Sequence, residues 1–294
     1  MKAIVKILLF VSFTGSCLSY ALNYNELEVE NDLLGNLDLS AISCMKKDLC
    51  MVASDETNAL QVVSVENNIV KLINTISLGK FKKENDLEGL THDGTYFYAV
   101  GSHALSRKKN KYQPSRYKIF RILLDDEGAL IQLKVKSLES LLSKSKLSDY
   151  LKKSTKRNGI NIEGLASDRG LLYLGFRSPV LNGKAQILSF STKNFWDNDD
   201  HLSSLLTIDV GQSRGIRSFE IRNGEFFIVA GPSESIETET LSYKLCINKL
   251  GTDIVNCEKV PFDSFKVEGF EILSDNSRLF FYDSQLNGSP VLQN

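Results

Sequence analysis

Apolar and polar positions along this chain form a unit that recurs five times. Each unit starts at a small or charged residue, followed by a short apolar strand, a turn and a second, strongly apolar strand. The starting residues are Ser40, Glu88, Glu163, Arg217 and Glu268. The second strand ends 15 residues after the start in every unit, at Asp55, His103, Ser178, Pro232 and Asp283. Because a strand and its returning antiparallel partner bring both ends to one edge of a sheet, these positions are predicted to share an edge.

The remainder of each unit predicts two further strands. In the second unit, residues 117–124 and 129–135 flank the turn Asp125-Asp126-Glu127-Gly128, which is a typical hairpin signal. Comparable pairs follow in the third and fourth units. Four short strands repeated around an axis are typical of β-propeller blades. The sequence therefore predicts an all-β fold, a single β-propeller of five four-stranded blades, with six blades as the alternative.

Two segments depart from the repeat. Residues 136–157 carry leucines at helical spacing and many lysines, which predicts a short helical insertion, although a sixth blade could be hidden there. We expect its basic face to be solvated, with a lid or a contact for an anionic partner as the alternative. The last unit has only 27 residues from Glu268 onward, enough for three strands. Tyr24 to Glu30 alternates apolar and acidic residues, so we predict that it completes the last blade and closes the ring.

The N-terminus has the pattern of a secretory signal peptide. Two lysines precede an apolar run at 7–13, and small residues precede a predicted cleavage after Ala21. Residues 1–21 would then be removed, and 22–294 would form the propeller domain in the periplasm or outside the cell. A lipid anchor on Cys17 is the alternative, because residues 14–17 loosely resemble a lipoprotein cleavage box. No stretch approaches the roughly 20 apolar residues of a membrane-spanning helix.

Cysteine spacing agrees with an oxidising compartment. Cys44 and Cys50 flank one predicted turn between strands, and Cys246 and Cys257 flank another. Facing strands would bring each pair of sulfur atoms within reach, so two disulfides are predicted: Cys44–Cys50 and Cys246–Cys257. A zinc site is disfavoured because the spacing is wrong and no histidine lies near.

Overall charge excludes one large class of partners. The chain has 35 basic and 36 acidic residues, which lacks the basic excess expected of a nucleic-acid-binding domain. The candidate partners are a small anionic molecule or a cation, which the charged residues at the shared edge of the units suggest, and a protein partner is the alternative.

Candidate chemistry lies at the shared edge of the five units. Glu88, Glu163 and Glu268 are candidate ligands for a metal ion, and calcium suits oxygen ligands in an exported protein. Candidate ligand-binding residues are Arg177, Arg214, Arg217, Asp55 and Asp283. Alternatively, the glutamates pair with the arginines as structural salt bridges, because like charges brought together need counter-charges. His103 and Glu163 are candidate acid–base catalysts, since histidine titrates near neutral pH.

The motifs around these residues resemble a bacterial family of exported proteins, domain of unknown function 3616. The resemblance rests on Asp86-Leu87-Glu88-Gly89-Leu90 with His103, on Asn161-Ile162-Glu163-Gly164-Leu165 with Arg177, and on related motifs at 214–217 and 267–269. It covers roughly residues 39–284. The resemblance implies a β-propeller akin to esterase-like phytases and other calcium-containing propellers, and it implies no particular reaction.

Three classes of function remain open. The first is a propeller that binds a cation or a small anionic ligand without turnover. The second is a metal-assisted hydrolase of a phosphoester, lactone or similar ester, in which arginines hold negative charge. The third is an interaction scaffold at the cell envelope. We favour the first because carboxylates crowd the predicted channel mouth, and fold alone does not choose a reaction.

Overall fold

The computed structural model describes residues 24–81, 83–107, 109–197, 203–233, 241–250, 252 and 255–294. The predicted signal peptide and Cys17 lie outside these residues. The N-terminal segment and the first blade are β1 (Tyr24–Glu26), β2 (Glu28–Glu30), β3 (Leu39–Lys46), β4 (Leu49–Ser54), β5 (Ala59–Glu66) and β6 (Ile69–Ser77). The second blade is β7 (Leu87–His92), β8 (Phe97–Gly101), β9 (Ile119–Leu124) and β10 (Leu130–Lys136).

An insertion separates the second and third blades. It consists of α1 (Glu139–Lys144) and the 3-10 turns Ser148–Tyr150 and Thr155–Arg157. The third blade is β11 (Asn161–Asp168), β12 (Leu171–Leu181), β13 (Lys184–Ser191), α2 (Thr192–Asp197) and β14 (Ser203–Ile208). The fourth is β15 (Arg214–Arg222), β16 (Glu225–Pro232), β17 (Lys244–Lys249) and β18 (Val255–Lys259), and the fifth is β19 (Lys266–Ile272), β20 (Arg278–Asp283) and β21 (Val291–Gln293).

These strands form five sheets, antiparallel except where β2 joins β6, and the innermost strands surround one axis. The innermost strands β3, β7, β11, β15 and β19 contact one another in cyclic order, and β19 contacts β3. The predicted five-bladed propeller is therefore confirmed. The insertion contains no strand between 137 and 160, so it does not hide a sixth blade. Its leucines are buried among the side chains of the second and third blades. The described residues include no helix that is long and apolar enough to cross a membrane.

The closing segment differs from the prediction. Only β1 completes the fifth blade, where Glu26 lies opposite Val291 in an antiparallel pair. After one intervening residue the chain crosses to the first blade, and β2 runs parallel to β6 with Val29 opposite Val70. The chain divides there because Leu27 is buried in the core shared by the first and fifth blades. The predicted single closing strand is thus two short strands that join both neighbouring blades.

Both predicted disulfides are present. Cys44 lies directly opposite Cys50 in the β3–β4 hairpin, and Cys246 lies opposite Cys257 in the β17–β18 hairpin. Each bridge links neighbouring strands of a single blade, so it fixes the register of that hairpin and not the ring as a whole.

The starting residue of every repeat lies at a β-bulge. In each innermost strand the pairing with the second strand shifts by one residue, at Ser40, Glu88, Glu163, Arg217 and Glu268. A bulge leaves one residue unpaired and changes the direction of its side chain. The glycines that follow Glu88 and Glu163 pack so closely against the next blade that a Cβ atom would lie within 3 Å of a neighbouring side chain. The repeated Glu-Gly motif therefore marks a polar bulge followed by a close approach of two blades.

Candidate cation and anion site at the channel mouth

One arginine neutralises two of the three repeated glutamates. Arg217 lies in the fourth blade, between Glu163 of the third and Glu268 of the fifth. Its Nε lies 2.9 Å from Glu163 Oε2, and its Nη2 donates a hydrogen bond to Glu268 Oε1. Burial by itself lowers the pKa of the Arg217 guanidinium, but the two carboxylates outweigh burial and raise it. Arg217 is therefore a buried cation held between two anions.

Further basic groups complete this half of the ring. Arg177 Nη1 donates to Glu163 Oε1 over 2.8 Å, and Lys266 Nζ lies 2.7 Å from Glu268 Oε1. Burial favours a higher pKa for Glu163, yet Arg177 and Arg217 together bring it below the usual value. Lys266 also donates to Asp283. The predicted ligand-binding residues Arg177, Arg217 and Asp283 are thus brought together, in ion pairs within the protein.

Arg214 is engaged elsewhere. Its Nη2 donates to the backbone oxygen of Ser242 over 3.2 Å. The predicted pairing of Arg214 with the repeated glutamates is not among its contacts within the described residues.

The other half of the ring gathers carboxylates instead. Glu88, in the second blade, is separated from Arg217 by the third blade. Oxygen atoms of Asp55, Asp86 and Glu88 lie within 4.8 Å of one another. Within the described part of the chain, the buried carboxylate of Glu88 forms no hydrogen bond or ion pair. The predicted metal ligands Glu88, Glu163 and Glu268 are therefore divided, and we call Asp55, Asp86 and Glu88 the carboxylate triad.

Asp86 is fixed by a small hydrogen-bond network. Ser102 Oγ and Arg116 Nη1 both donate to its Oδ2, the latter over 2.9 Å. The other arm of Arg116 binds Glu84 over 2.8 Å, so the guanidinium serves two carboxylates. Within the described residues, the Oδ1 atom of Asp86 accepts no hydrogen bond.

The triad is electrostatically strained without a counter-ion. Burial, followed by the negative charges of nearby carboxylates, raises the pKa of Asp55 to about 8 and places that of Glu88 well above its usual range. Burial also raises the pKa of Asp86 to about 6, although Arg116 and Ser102 oppose the shift. Such crowding is relieved either by protonation or by a bound cation.

A buried amide borders the triad. Asn161 Nδ2 donates to Glu163 Oε1 over 2.9 Å, while its buried Oδ1 has no hydrogen-bond partner among the described residues. Asn161 lines the same cavity as the triad. A buried carbonyl oxygen without a partner is costly, so it marks a place where a cation or water would be favourable. Four oxygen donors thus border the floor of the cavity.

The cavity above the triad has a volume of about 690 Å³. Ala104, Leu105 and Tyr112 supply apolar surface, and Thr155 of the insertion forms part of the wall. The charged residues that line it are Asp55, Glu56, Glu84, Asp86, Glu88, Lys83, Arg107, Lys109, Lys111 and Arg116. Among the described residues, acidic and basic groups are therefore equal in number, with the triad on the floor.

His103 lies behind the cavity wall. Its ring is buried against Tyr117, with Nδ1 2.8 Å from the backbone oxygen of Gly101. Burial lowers its pKa to about 4, so the imidazole is neutral at physiological pH. Neither of the two candidate catalysts, His103 and Glu163, lines the cavity. Glu163 is held in ion pairs with Arg177 and Arg217.

Sequence reasoning missed Asp86, Asn161 and Arg116 as site residues. Asp86 and Asn161 each stand two positions before the repeated glutamate, and Lys266 holds the same position in the fifth unit. Asp86, Asn161 and Lys266 all bear polar groups at the channel mouth. The repeated position was therefore a usable signal, whereas Arg116 lies outside the repeat and left none.

Comparisons with known proteins identify the family. The model of the family described as "Protein of unknown function (DUF3616)" matches residues 38–129 and 124–259, and the chain belongs to this family. No curated protein matches the chain. Among solved structures, glutaminyl cyclase from Myxococcus xanthus is 10% identical, with a TM-score of 0.53 over 92% of this chain and 93% of that one. Virginiamycin B lyase from Staphylococcus aureus is 11% identical, with a TM-score of 0.40 over 88% of this chain and 67% of that one. At such identities the likeness concerns the fold alone.

Proposed function

We propose that this member of the DUF3616 family binds a divalent cation, with calcium as the best fit, on the carboxylate triad. The observation that supports this most directly is the approach of three carboxylates within 4.8 Å around Glu88, which is buried and forms no hydrogen bond or ion pair with a described residue. Two oxygens bound to one Ca²⁺ at 2.3–2.6 Å lie at most about 5 Å apart, so three oxygens within 4.8 Å of one another can bind one calcium ion together. The spacing therefore suits calcium without rearrangement.

The remaining donors have the same chemistry. Asp55, Asp86 and Glu88 offer carboxylate oxygens and Asn161 offers its amide oxygen, and hard cations prefer oxygen ligands. Glu163 and Glu268 are excluded from this donor set because Arg217 and Lys266 neutralise them. A bound cation would place a positive charge in direct contact with Glu88, which forms no ion pair with a described residue.

Calcium titration of the purified protein tests this proposal. We expect calcium to raise the melting temperature of the wild type, and Glu88→Gln to weaken calcium binding at least tenfold in isothermal titration calorimetry. Glu56→Gln is the matched control, because Glu56 lines the same cavity and is exposed outside the triad. Its calcium affinity should stay within threefold of the wild type. Equal affinities for the wild type and Glu88→Gln would overturn the proposal.

Metal-assisted hydrolysis of an anionic ester is the second candidate function. It is favoured by the basic residues that surround the triad, since they would hold a negative charge beside a Lewis-acidic cation. Phosphatase, esterase and lactonase substrates assayed with and without a calcium chelator test it. Chelator-sensitive turnover that disappears in Glu88→Gln is the expected result for a hydrolase.

We also propose that the protein is exported, with cleavage after Ala21. The N-terminal pattern and the two disulfides support this, because such bridges persist in oxidising compartments. Mass spectrometry of the mature protein should give an N-terminus at Leu22. A lipid attached at Cys17 would replace this proposal with the anchored alternative.

A further inference from the structure

The cavity is much larger than a cation requires. Its volume of about 690 Å³ lies within the range of 300–1,000 Å³ that is typical of small-molecule sites. The triad occupies only the floor, and the walls come from loops of the first and second blades and from the insertion. A cation bound at the triad would therefore face a space that accommodates an organic molecule.

The charge of the lining defines the ligand that fits. Among the described residues, five acidic and five basic ones line the cavity, so a divalent cation on the triad leaves two positive charges in excess within this set. A phosphomonoester carries a charge of about −1.5 to −2 at pH 7 and offers three acceptor oxygens. A carboxylate would neutralise only one of the two charges. Charge balance thus favours a dianionic phosphate group.

Three lysines are available to receive that group. Lys83, Lys109 and Lys111 are exposed residues of the cavity wall, and none of their ammonium groups pairs with a carboxylate of a described residue. By contrast, both arms of Arg116 are engaged by Glu84 and Asp86. Lysine binds phosphate as a mobile point charge, which suits an anion that also contacts a metal.

Tyr112 offers a surface for the rest of the ligand. Its side chain is 43% exposed in the cavity wall, although one side of the ring packs on Tyr117 with centroids 4.5 Å apart. Its hydroxyl donates to Glu139 Oε2 over 3.0 Å, which anchors the ring to the insertion. Leu105 and Ala104 extend the apolar surface. A fixed, partly exposed aromatic ring next to a cationic site fits an aryl or similar flat group.

We propose that the cavity binds a small organic phosphomonoester, with its phosphate on the triad cation and the lysines and its organic part against Tyr112. This inference rests on the proposed cation site. It concerns binding, and it requires no chemical step.

Phenyl phosphate is the probe, titrated calorimetrically in the presence of calcium or of a chelator. We expect saturable binding that weakens at least tenfold in chelator. The variant Lys83→Gln/Lys109→Gln/Lys111→Gln should lose at least tenfold in phenyl phosphate affinity while its calcium affinity does not fall. The control Lys134→Gln/Lys184→Gln/Lys193→Gln removes the same charge from exposed positions outside the cavity lining and should bind as the wild type does.

Two comparisons test the aromatic contact and the phosphate preference. Tyr112→Leu should weaken phenyl phosphate at least threefold more than methyl phosphate, whereas Tyr112→Phe should retain both affinities. Benzoate should bind at least tenfold more weakly than phenyl phosphate. If calcium binds and phenyl phosphate does not, or if benzoate binds equally well, this inference is wrong and the cation site stands. If calcium itself does not bind, the proposed function fails.

Discussion

The two halves of the channel mouth use the same residue type in opposite ways. In the third to fifth blades, Glu163 and Glu268 each meet a buried or partly buried cation within ion-pair distance. In the second blade, Glu88 occupies the equivalent bulge and meets other carboxylates. The difference arises because one arginine in a ring of five positions reaches only its two neighbours. A repeated motif can therefore serve as a structural ion pair in one blade and as a candidate site in another.

The largest expected effect comes from removing the shared cation. Arg217→Met leaves Glu163 and Glu268 buried with fewer partners, and loss of one member of a buried pair typically costs about 3–5 kcal/mol. Urea unfolding should show this loss. Arg278→Met is the control, because Arg278 pairs with the exposed Glu258 and should cost at most about 1 kcal/mol. A loss below about 1 kcal/mol in Arg217→Met would contradict the structural role of that half.

The next prediction compares two identical substitutions in the two halves. Glu163→Gln removes a carboxylate that neutralises Arg177 and Arg217, so it should lower the free energy of unfolding by about 3 kcal/mol. Glu88→Gln removes a buried carboxyl group whose raised pKa costs free energy of folding at neutral pH, so in chelator it should raise the free energy of unfolding by about 1 kcal/mol. Denaturant unfolding of both variants in chelator provides the measurement. Changes of the same sign in both would remove the distinction between the two halves.

A third prediction concerns carboxylates near the opposite ends of the innermost strands. Burial raises the pKa of Glu220 to about 7, although Arg222 opposes the shift, and Glu271 faces it with a pKa that is also raised. The folded state therefore retains a proton on Glu220 that the unfolded chain releases above pH 4.5. The free energy of unfolding consequently falls as the pH rises from 4.5 through 7. Between pH 5 and pH 8, the free energy of unfolding measured by urea denaturation should fall by about 2 kcal/mol more in the wild type than in Glu220→Gln.

Parallel pH profiles for the wild type and Glu220→Gln would contradict this assignment. Glu271 has a structural partner, because its Oε2 accepts a hydrogen bond from the backbone nitrogen of Cys44 over 3.0 Å. Unlike the triad, this pair is not part of the large cavity. A raised carboxyl pKa therefore indicates a candidate site only where open space and further oxygen donors accompany it.

The smallest expected effect lies at the surface between the first and fifth blades. Lys47 donates to Asp275, and this hydrogen bond lowers the pKa of Asp275 to about 2. Both side chains are at least one-third exposed, so the pair should be worth less than about 1 kcal/mol. Lys47→Gln should destabilise the protein by that amount at neutral pH and by less in molar salt. A loss as large as that in Arg217→Met would mean that solvent exposure does not distinguish these pairs.

The repeat made the fold predictable from the sequence. A constant distance between the bulge residue and the end of the next strand sets the innermost hairpins, and the Glu-Gly step reflects the close packing of blades. The same spacing brought Glu88, Glu163 and Glu268 to one edge. Which glutamate receives a counter-charge depends on the order of blades around the ring. Arg217 holds the glutamate position in the fourth blade, so it can reach the glutamates of the third and fifth blades and not that of the second.

Two parts of the site were beyond such reasoning. Arg116 reaches Asp86 from a long connection between β8 and β9, where no periodic pattern constrains the chain. The division of the closing segment at Leu27 depends on burial in a core that the first blade shares with Leu273, Leu279 and Phe281, more than 200 positions later. Neither property is encoded in a local pattern.

The two-strand closure determines when the ring can finish folding. Glu26 pairs with Val291, 265 positions away, so the first strand of the domain to be synthesised finds its partner only after the last strand has been made. Contacts of such long sequence separation form slowly, because the entropy of loop closure must be lost before they provide any stabilisation. The five hairpin meanders can assemble locally, and the joint between the ends is then the latest step. In native-state hydrogen exchange, the same joint should open before the blades themselves.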